Sequence, residues 1–216
     1  MIKQDVVILN EKEHSEMVKQ VDKVMDYTST VSFYDHNDPV AQRRGFMAEL
    51  VCRRLMMLPI ELGVGPDEYN RGYDIKLRNK ENSKRVYIDV KSGLVKSSWS
   101  PYTQQRHDLK LHRFKEKLPD DFMYVFISGT DDPFKWIVEG CCSQKEIKDA
   151  IKNNDDDVFG YIDEYEPHLV RAGQMHRNFL MDHDTVIVPN MWLPNKGSYG
   201  VLDRIGKMLT EDEQNV

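Results

Sequence analysis

Residues 73–91 read YDIKLRNKENSKRVYIDVK, and this stretch decides the fold. Two runs, YDIKL (73–77) and RVYIDVK (85–91), alternate apolar with polar side chains. That two-residue period belongs to a half-buried strand. NKENSK (79–84) between them is rich in turn formers, so the pair reads as a β-hairpin. Pairing 77 with 86, 76 with 87, 75 with 88 and 74 with 89 collects Ile75, Leu77, Val86 and Ile88 on one face. Asp74, Lys76, Tyr87, Asp89 and Lys91 fall on the other. A slip by one residue would drive charges into the apolar layer. In this register Asp74 and Asp89 lie opposite each other, with β-carbons about 5 Å apart.

Further elements follow on either side. Residues 10–28 read as an amphipathic helix, with Met17, Val21, Val24 and Met25 along one stripe. AQRRGFMAELVCRRLMML (41–58) is a second helix, stopped by Pro59. Residues 30–40 and 60–71, with their Pro, Gly, Asp and Asn, read as loops. Residues 101–118 are expected to be helical. MYVFISG (123–129) is apolar nearly throughout and reads as a central strand, followed by strand KWIVEG (135–140). SQKEIKDAI (143–151) reads as a short helix and TVIVP (185–189) as a last strand. The order predicts an α/β (α+β) domain, a mixed central sheet flanked by helices.

Composition narrows the classes. The chain has 216 residues, 40 % of them hydrophobic, which suits one folded domain with a real core and excludes a disordered tail. No run approaches the roughly 20 apolar residues of a membrane span, and no secretory signal is visible, so no membrane partner is expected. Three cysteines, two of them adjacent, make no disulfide framework, so a reducing cytoplasmic location is expected. The net charge of −6 conceals a polarity. Residues 76–117 carry 12 basic and 4 acidic side chains, net +8, whereas residues 118–166 carry 4 and 13, net −9. A basic block of that kind can be an electrostatic footprint for phosphates.

The residue types in the hairpin point to a chemistry. Two carboxylates that close repel unless a cation lies between them. Hard oxygen ligands suit Mg²⁺, with Mn²⁺ as a substitute. Lys91, two residues past Asp89, reaches over the same face. An ion on Asp74 and Asp89 would polarise a phosphoryl oxygen and acidify a bound water, and Lys91 would orient that water or offset transition-state charge. Glu49, within FMAELV, is the candidate third acid.

Glu49 on a helix, Asp74 opening a strand and Asp89-Val90-Lys91 on the next strand together resemble the PD-(D/E)XK nuclease superfamily, the restriction-endonuclease-like fold. The resemblance spans about residues 41–140. It implies that Asp74 and Asp89 bind Mg²⁺, that Lys91 assists the attacking water, and that Glu49 and the Val90 carbonyl contribute to the metal. It implies a single nuclease domain over 1–216: an N-terminal helical extension (1–40), a catalytic core (41–140) and a C-terminal elaboration (141–216). The expected activity is metal-dependent cleavage of DNA, as an endonuclease. The alternatives are a catalytically inactive DNA-binding or assembly protein of the same fold, and an RNA-directed nuclease. Arg43, Arg44, Lys76, Lys96, Arg106, His107 and Lys110 are the expected phosphate contacts, and Trp99 and Tyr102 the stacking candidates. Cutting both strands would suit a homodimer.

Overall fold

The computed structural model describes residues 5–28, 39–64, 72–99, 108–111, 118–119, 121–152, 160–162, 169–171, 185–189 and 192–210. In chain order they form β1 (Val6–Ile8), α1 (Glu11–Thr28), α2 (Pro39–Leu55), β2 (Ile75–Arg78), β3 (Arg85–Val95), β4 (Asp108–Leu111), β5 (Phe122–Thr130) and β6 (Lys135–Ser143). Then come α3 (Gln144–Lys152), β7 (Gly160–Ile162), β8 (Leu169–Arg171), β9 (Thr185–Pro189), β10 (Asn195–Lys196) and α4 (Gly197–Thr210).

The hairpin adopts the expected register, with Ile75 against Ile88, Lys76 against Tyr87 and Leu77 against Val86. It forms one edge of a mixed six-stranded sheet ordered β1-β6-β5-β3-β2, with β10 also on β6. β3 and β5 run parallel, Asp89 beside Tyr124 and Lys91 beside Phe126, while β5 and β6 are antiparallel. β5 is buried over Phe122–Gly129, as the unbroken apolar run demands of a strand covered on both faces. The class is therefore mixed α and β.

Alternation along the strands divides two cores. Ile75, Val86, Ile88, Val90, Met123, Val125 and Ile127 pack on one face against Met17, Val21 and Val24 of α1, Leu50 and Val51 of α2 and Val201 and Ile205 of α4. On the other face Phe122, Tyr124 and Phe126 meet Ile147 and Ala150 of α3, Leu109 of β4 and Val188 of β9. A second sheet, ordered β4-β9-β7-β8, contributes to this second layer.

Local signals explain the helix ends. Asn10 and Glu13 exchange backbone-to-side-chain hydrogen bonds of 2.9 and 3.0 Å at the start of α1, and Ser143 and Glu146 do the same for α3. α2 opens on Pro39, a residue whose fixed φ suits the first helical position. It closes on Met57 at φ 55°, with Leu58 N–H bonding the Arg53 carbonyl at 2.9 Å and Met57 N–H bonding Arg54 at 3.1 Å. That is a Schellman closure, and Pro59 follows it. The β2–β3 turn is anchored from a distance: Asn79 and Asn82 donate to the Leu209 carbonyl at the end of α4, at 3.0 and 2.8 Å.

One expectation is corrected. Residues 101–118 are not one helix: Asp108–Leu111 is a strand, pairing Leu109 with Val188. The alternation in DLKL sets that period, and β9 supplies the partner it needs. The six-stranded sheet draws strands from both ends of the chain. β6 would end the sheet as an open edge, and an unpaired edge leaves backbone donors and acceptors unsatisfied. β1 closes that edge at Trp136 and Ile137, and β10 closes it at Gly140 and Cys141. β1 and β10 thus complete the sheet.

Candidate active site

The candidate acids meet where β2 gives out beside β3. Asp74 lies one residue before β2, outside the regular ladder. Its N–H bonds the Ile88 carbonyl at 2.9 Å, and its Oδ2 accepts the Val90 N–H at 2.7 Å. The carboxylate thus takes the place of a strand partner for β3. In a strand the N–H and C=O of one residue point to the same edge. The Val90 carbonyl therefore faces the edge that holds Asp74, as a ligand would require.

Asp89 projects from β3 on the face of the second core. Lys91, on the same face, reaches back to Asp89 Oδ2 at 2.7 Å, and both side chains are one-fifth exposed. Glu49 approaches from α2, which packs across the opposite face. Its Oε1 accepts from Arg53 Nε at 2.9 Å, and both side chains are largely buried. Arg53 also spans to the Asp74 carbonyl, at 3.2 Å from Nη2. This arginine ties the helix acid to the backbone of the hairpin acid. Its sequence signal was present as the Glu49/Arg53 spacing of four on one helix.

Electrostatics place the three acids in one another's field. Burial, then the charges of Asp89 and Glu49, hold the Asp74 carboxyl well above its ordinary range, while Lys91 and the Val90 N–H pull it down. The buried Cys52 thiol is raised by burial first, then by Asp74 and Glu49. Tyr124, whose hydroxyl donates to Gln144 Oε1 at 2.7 Å, is raised by burial and then by Asp89.

Among the described residues, no three His, Cys, Asp or Glu side chains converge as one ready metal cage. The rotamers explain this: Glu49 turns to Arg53, Asp89 to Lys91, and one oxygen of Asp74 to Val90. The donor set nevertheless fits a hard divalent cation. It is all oxygen, and its central carboxyl is raised by burial first and then by the neighbouring charges of Asp89 and Glu49, which a bound cation would offset.

The other predicted contacts are distributed differently. Arg43 pairs with Asp22 at 2.6 Å, both half-exposed. The Arg44 stem lies 3.7 Å from where a β-carbon on Gly129 would sit, and its buried Nε has no hydrogen-bond partner among the described residues. Lys76 is exposed, with Nζ 5.4 Å from the Tyr87 ring centroid. Lys96 is exposed at the end of β3, and its carbonyl accepts the Trp99 N–H at 3.0 Å in a turn. Lys110 lies on β4 opposite Ile187. Tyr102, Arg106 and His107 lie outside the described residues. Sequence reasoning missed Arg53 and also the contact between Tyr73 and Tyr87, whose ring centroids are 4.9 Å apart. Comparison with protein-family models, curated proteins and solved structures finds no match for this chain.

Proposed function

We propose that this protein is a metal-dependent nuclease with a restriction-endonuclease-like core, cutting DNA within the chain. The observation that carries the reading is the junction of β2 and β3. There Asp74, braced on the Val90 N–H at 2.7 Å, stands in the field of both Asp89 and Glu49, with Lys91 on Asp89. Asp74, Asp89 and the Val90 carbonyl would hold Mg²⁺, with Glu49 completing the set. Bound there, the ion supplies Lewis acidity toward a phosphoryl oxygen and a more acidic water.

The chain's own groups do the rest. The Val90 N–H fixes the orientation of the Asp74 carboxylate, so little reorganisation remains at the moment of reaction. Lys91 brings its ammonium to the face on which Asp89 lies, where it orients the attacking water in line with the leaving oxygen. It also offsets charge that accumulates on the phosphoryl oxygens. Arg53 holds Glu49 and the Asp74 backbone in a fixed relation. Lys76, exposed on β2, and Lys96, exposed just past the end of β3, supply sequence-independent backbone contacts. Cutting both strands of a duplex would take two such sites, as a two-fold homodimer provides.

The test is cleavage of matched single-stranded, duplex and branched DNA, and of RNA, with Mg²⁺ or Mn²⁺ and with chelator. DNA cleavage that needs the metal and is lost in Asp89→Asn, with binding retained, supports the reading. Binding without any cleavage assigns an inactive DNA-binding protein. Cleavage of RNA alone assigns a ribonuclease.

A further inference from the structure

We infer that Tyr73, Tyr87 and Lys76 form a platform for an unpaired nucleobase beside the scissile phosphate, making single-stranded or locally opened DNA the substrate of the site. The inference rests on the nuclease reading for the position of that phosphate. Tyr73 immediately precedes Asp74, and Tyr87 is two residues before Asp89. At about 3.4 Å per residue, Tyr87 lies roughly 7 Å along the strand from Asp89, on the same face. A nucleotide chain running along β3 with one phosphate at the acids therefore brings its neighbouring base over Tyr87.

The chemistry of this patch suits a base. The two rings meet at 4.9 Å between centroids with planes 57° apart, each partly buried against the second core and partly exposed. The packing that holds one side of the pair leaves a rigid aromatic surface at the rim. Lys76, directly across the ladder from Tyr87, holds its ammonium 5.4 Å from the ring centroid. An exposed lysine there can follow the ring or move onto a phosphate. Stacking on aromatic side chains tolerates every base, because every base has a π-face. In a duplex both faces of an internal base are already stacked, so the platform discriminates by strand state rather than by sequence.

The test uses the full chain carrying Asp89→Asn, so that binding is read without cutting. Short single-stranded oligonucleotides carry 2-aminopurine at successive positions, and matched duplexes serve as comparison. Quenching at one register of the single strand is expected. Adding Tyr87→Leu should weaken single-strand binding about ten-fold and leave duplex binding unchanged, while Tyr87→Phe should retain the wild-type preference. Lys76→Gln should lower the salt slope of single-strand binding by about one unit. Circular dichroism checks each fold, and Tyr73→Leu carries the same expectation should Tyr87→Leu unfold. Equal weakening of single-strand and duplex binding, or no quenching at any register, overturns the platform. Absence of cutting by the wild type overturns the nuclease reading instead, and the two failures are separately visible.

Discussion

Gly93 and Ser128 form a pair whose energetics can be worked from contact distances. Gly93 follows Lys91 by two residues on the same face of β3, and its partner across the parallel ladder is Ser128 of β5. A β-carbon on Gly93 would lie 2.7 Å from Ser128 Oγ but 3.7 Å from Ser128 Cβ. The first distance is a clash and the second is ordinary contact. Ser128 is only 1 % exposed, and its Oγ has no hydrogen-bond partner among the described residues. Gly93→Ala should therefore cost about 1–3 kcal/mol in overpacking, less about 0.5–1 kcal/mol for removing a glycine from a strand. Ser128→Ala removes a buried hydroxyl that bonds nothing among the described residues, a gain of about 1 kcal/mol. In the double variant the clash disappears and both gains remain, so it should exceed the wild type by roughly 1–2 kcal/mol. For a chain of this size each kcal/mol corresponds to about 2–4 °C in Tm. Urea denaturation and thermal melts of the four proteins in chelator complete the cycle, with a coupling of about 1–3 kcal/mol expected between the sites. Additivity of the two substitutions would refute the reasoning, because it would mean that Ser128 Oγ does not occupy the space over Gly93.

Three further predictions concern the site and its supports. Asp74 has a raised carboxyl, so its folded form holds a proton more tightly than the unfolded chain, whose value is near 3.8. Its contribution to stability is complete below that value and is lost as pH rises through the raised one. Melting in chelator should therefore show stability declining from about pH 4 upward in the wild type and less so in Asp74→Asn, with equal slopes refuting the assignment. Arg53→Lys cannot bridge Glu49 and the Asp74 carbonyl with one planar fork. The Mg²⁺ concentration for half-maximal cleavage should rise several-fold with the maximal rate largely kept, and an unchanged metal titration would count against the bridge. Met57, 93 % exposed at φ 55°, occupies a left-handed position that glycine fills without strain. Met57→Gly should raise stability by about 0.5–1 kcal/mol in urea titration, and a loss would contradict the closure described for α2.

The hairpin and its register were legible because each strand has a clean two-residue period, and because any slip would turn Asp89 and Lys91 into the core and Ile88 and Val90 out of it. β5 was legible from its unbroken apolar run. What escaped was decided by partners distant in sequence. β1 is three residues long and exists because Val6–Ile8 finds Lys135–Ile137. β4 is four residues among Arg, His and Gln, too short for its alternation to stand out without the partner that β9 supplies. α4 opens GSYG, with two helix-weakening glycines, yet burial of Val201 and Ile205 holds it as a helix. At the site, residue types announced the acids and the lysine. The brace from Val90 to Asp74 and the span of Arg53 depend on where β2 stops relative to α2, which pairwise spacing does not encode.

The two asparagine bonds from the β2–β3 turn to Leu209 link residues 130 and 127 positions apart. Their consequence is one of timing during synthesis. The chain emerges from its N-terminus, and the turn between β2 and β3 is made long before the helix end that it caps. Until α4 has left the ribosome, the turn lacks its anchor and the first core lacks Val201 and Ile205. Domains of this kind consolidate as units rather than piecemeal. The acids on the hairpin therefore settle into their final arrangement only when nearly all of the described chain is available, and an unfinished polypeptide carries the residues of the site without its geometry.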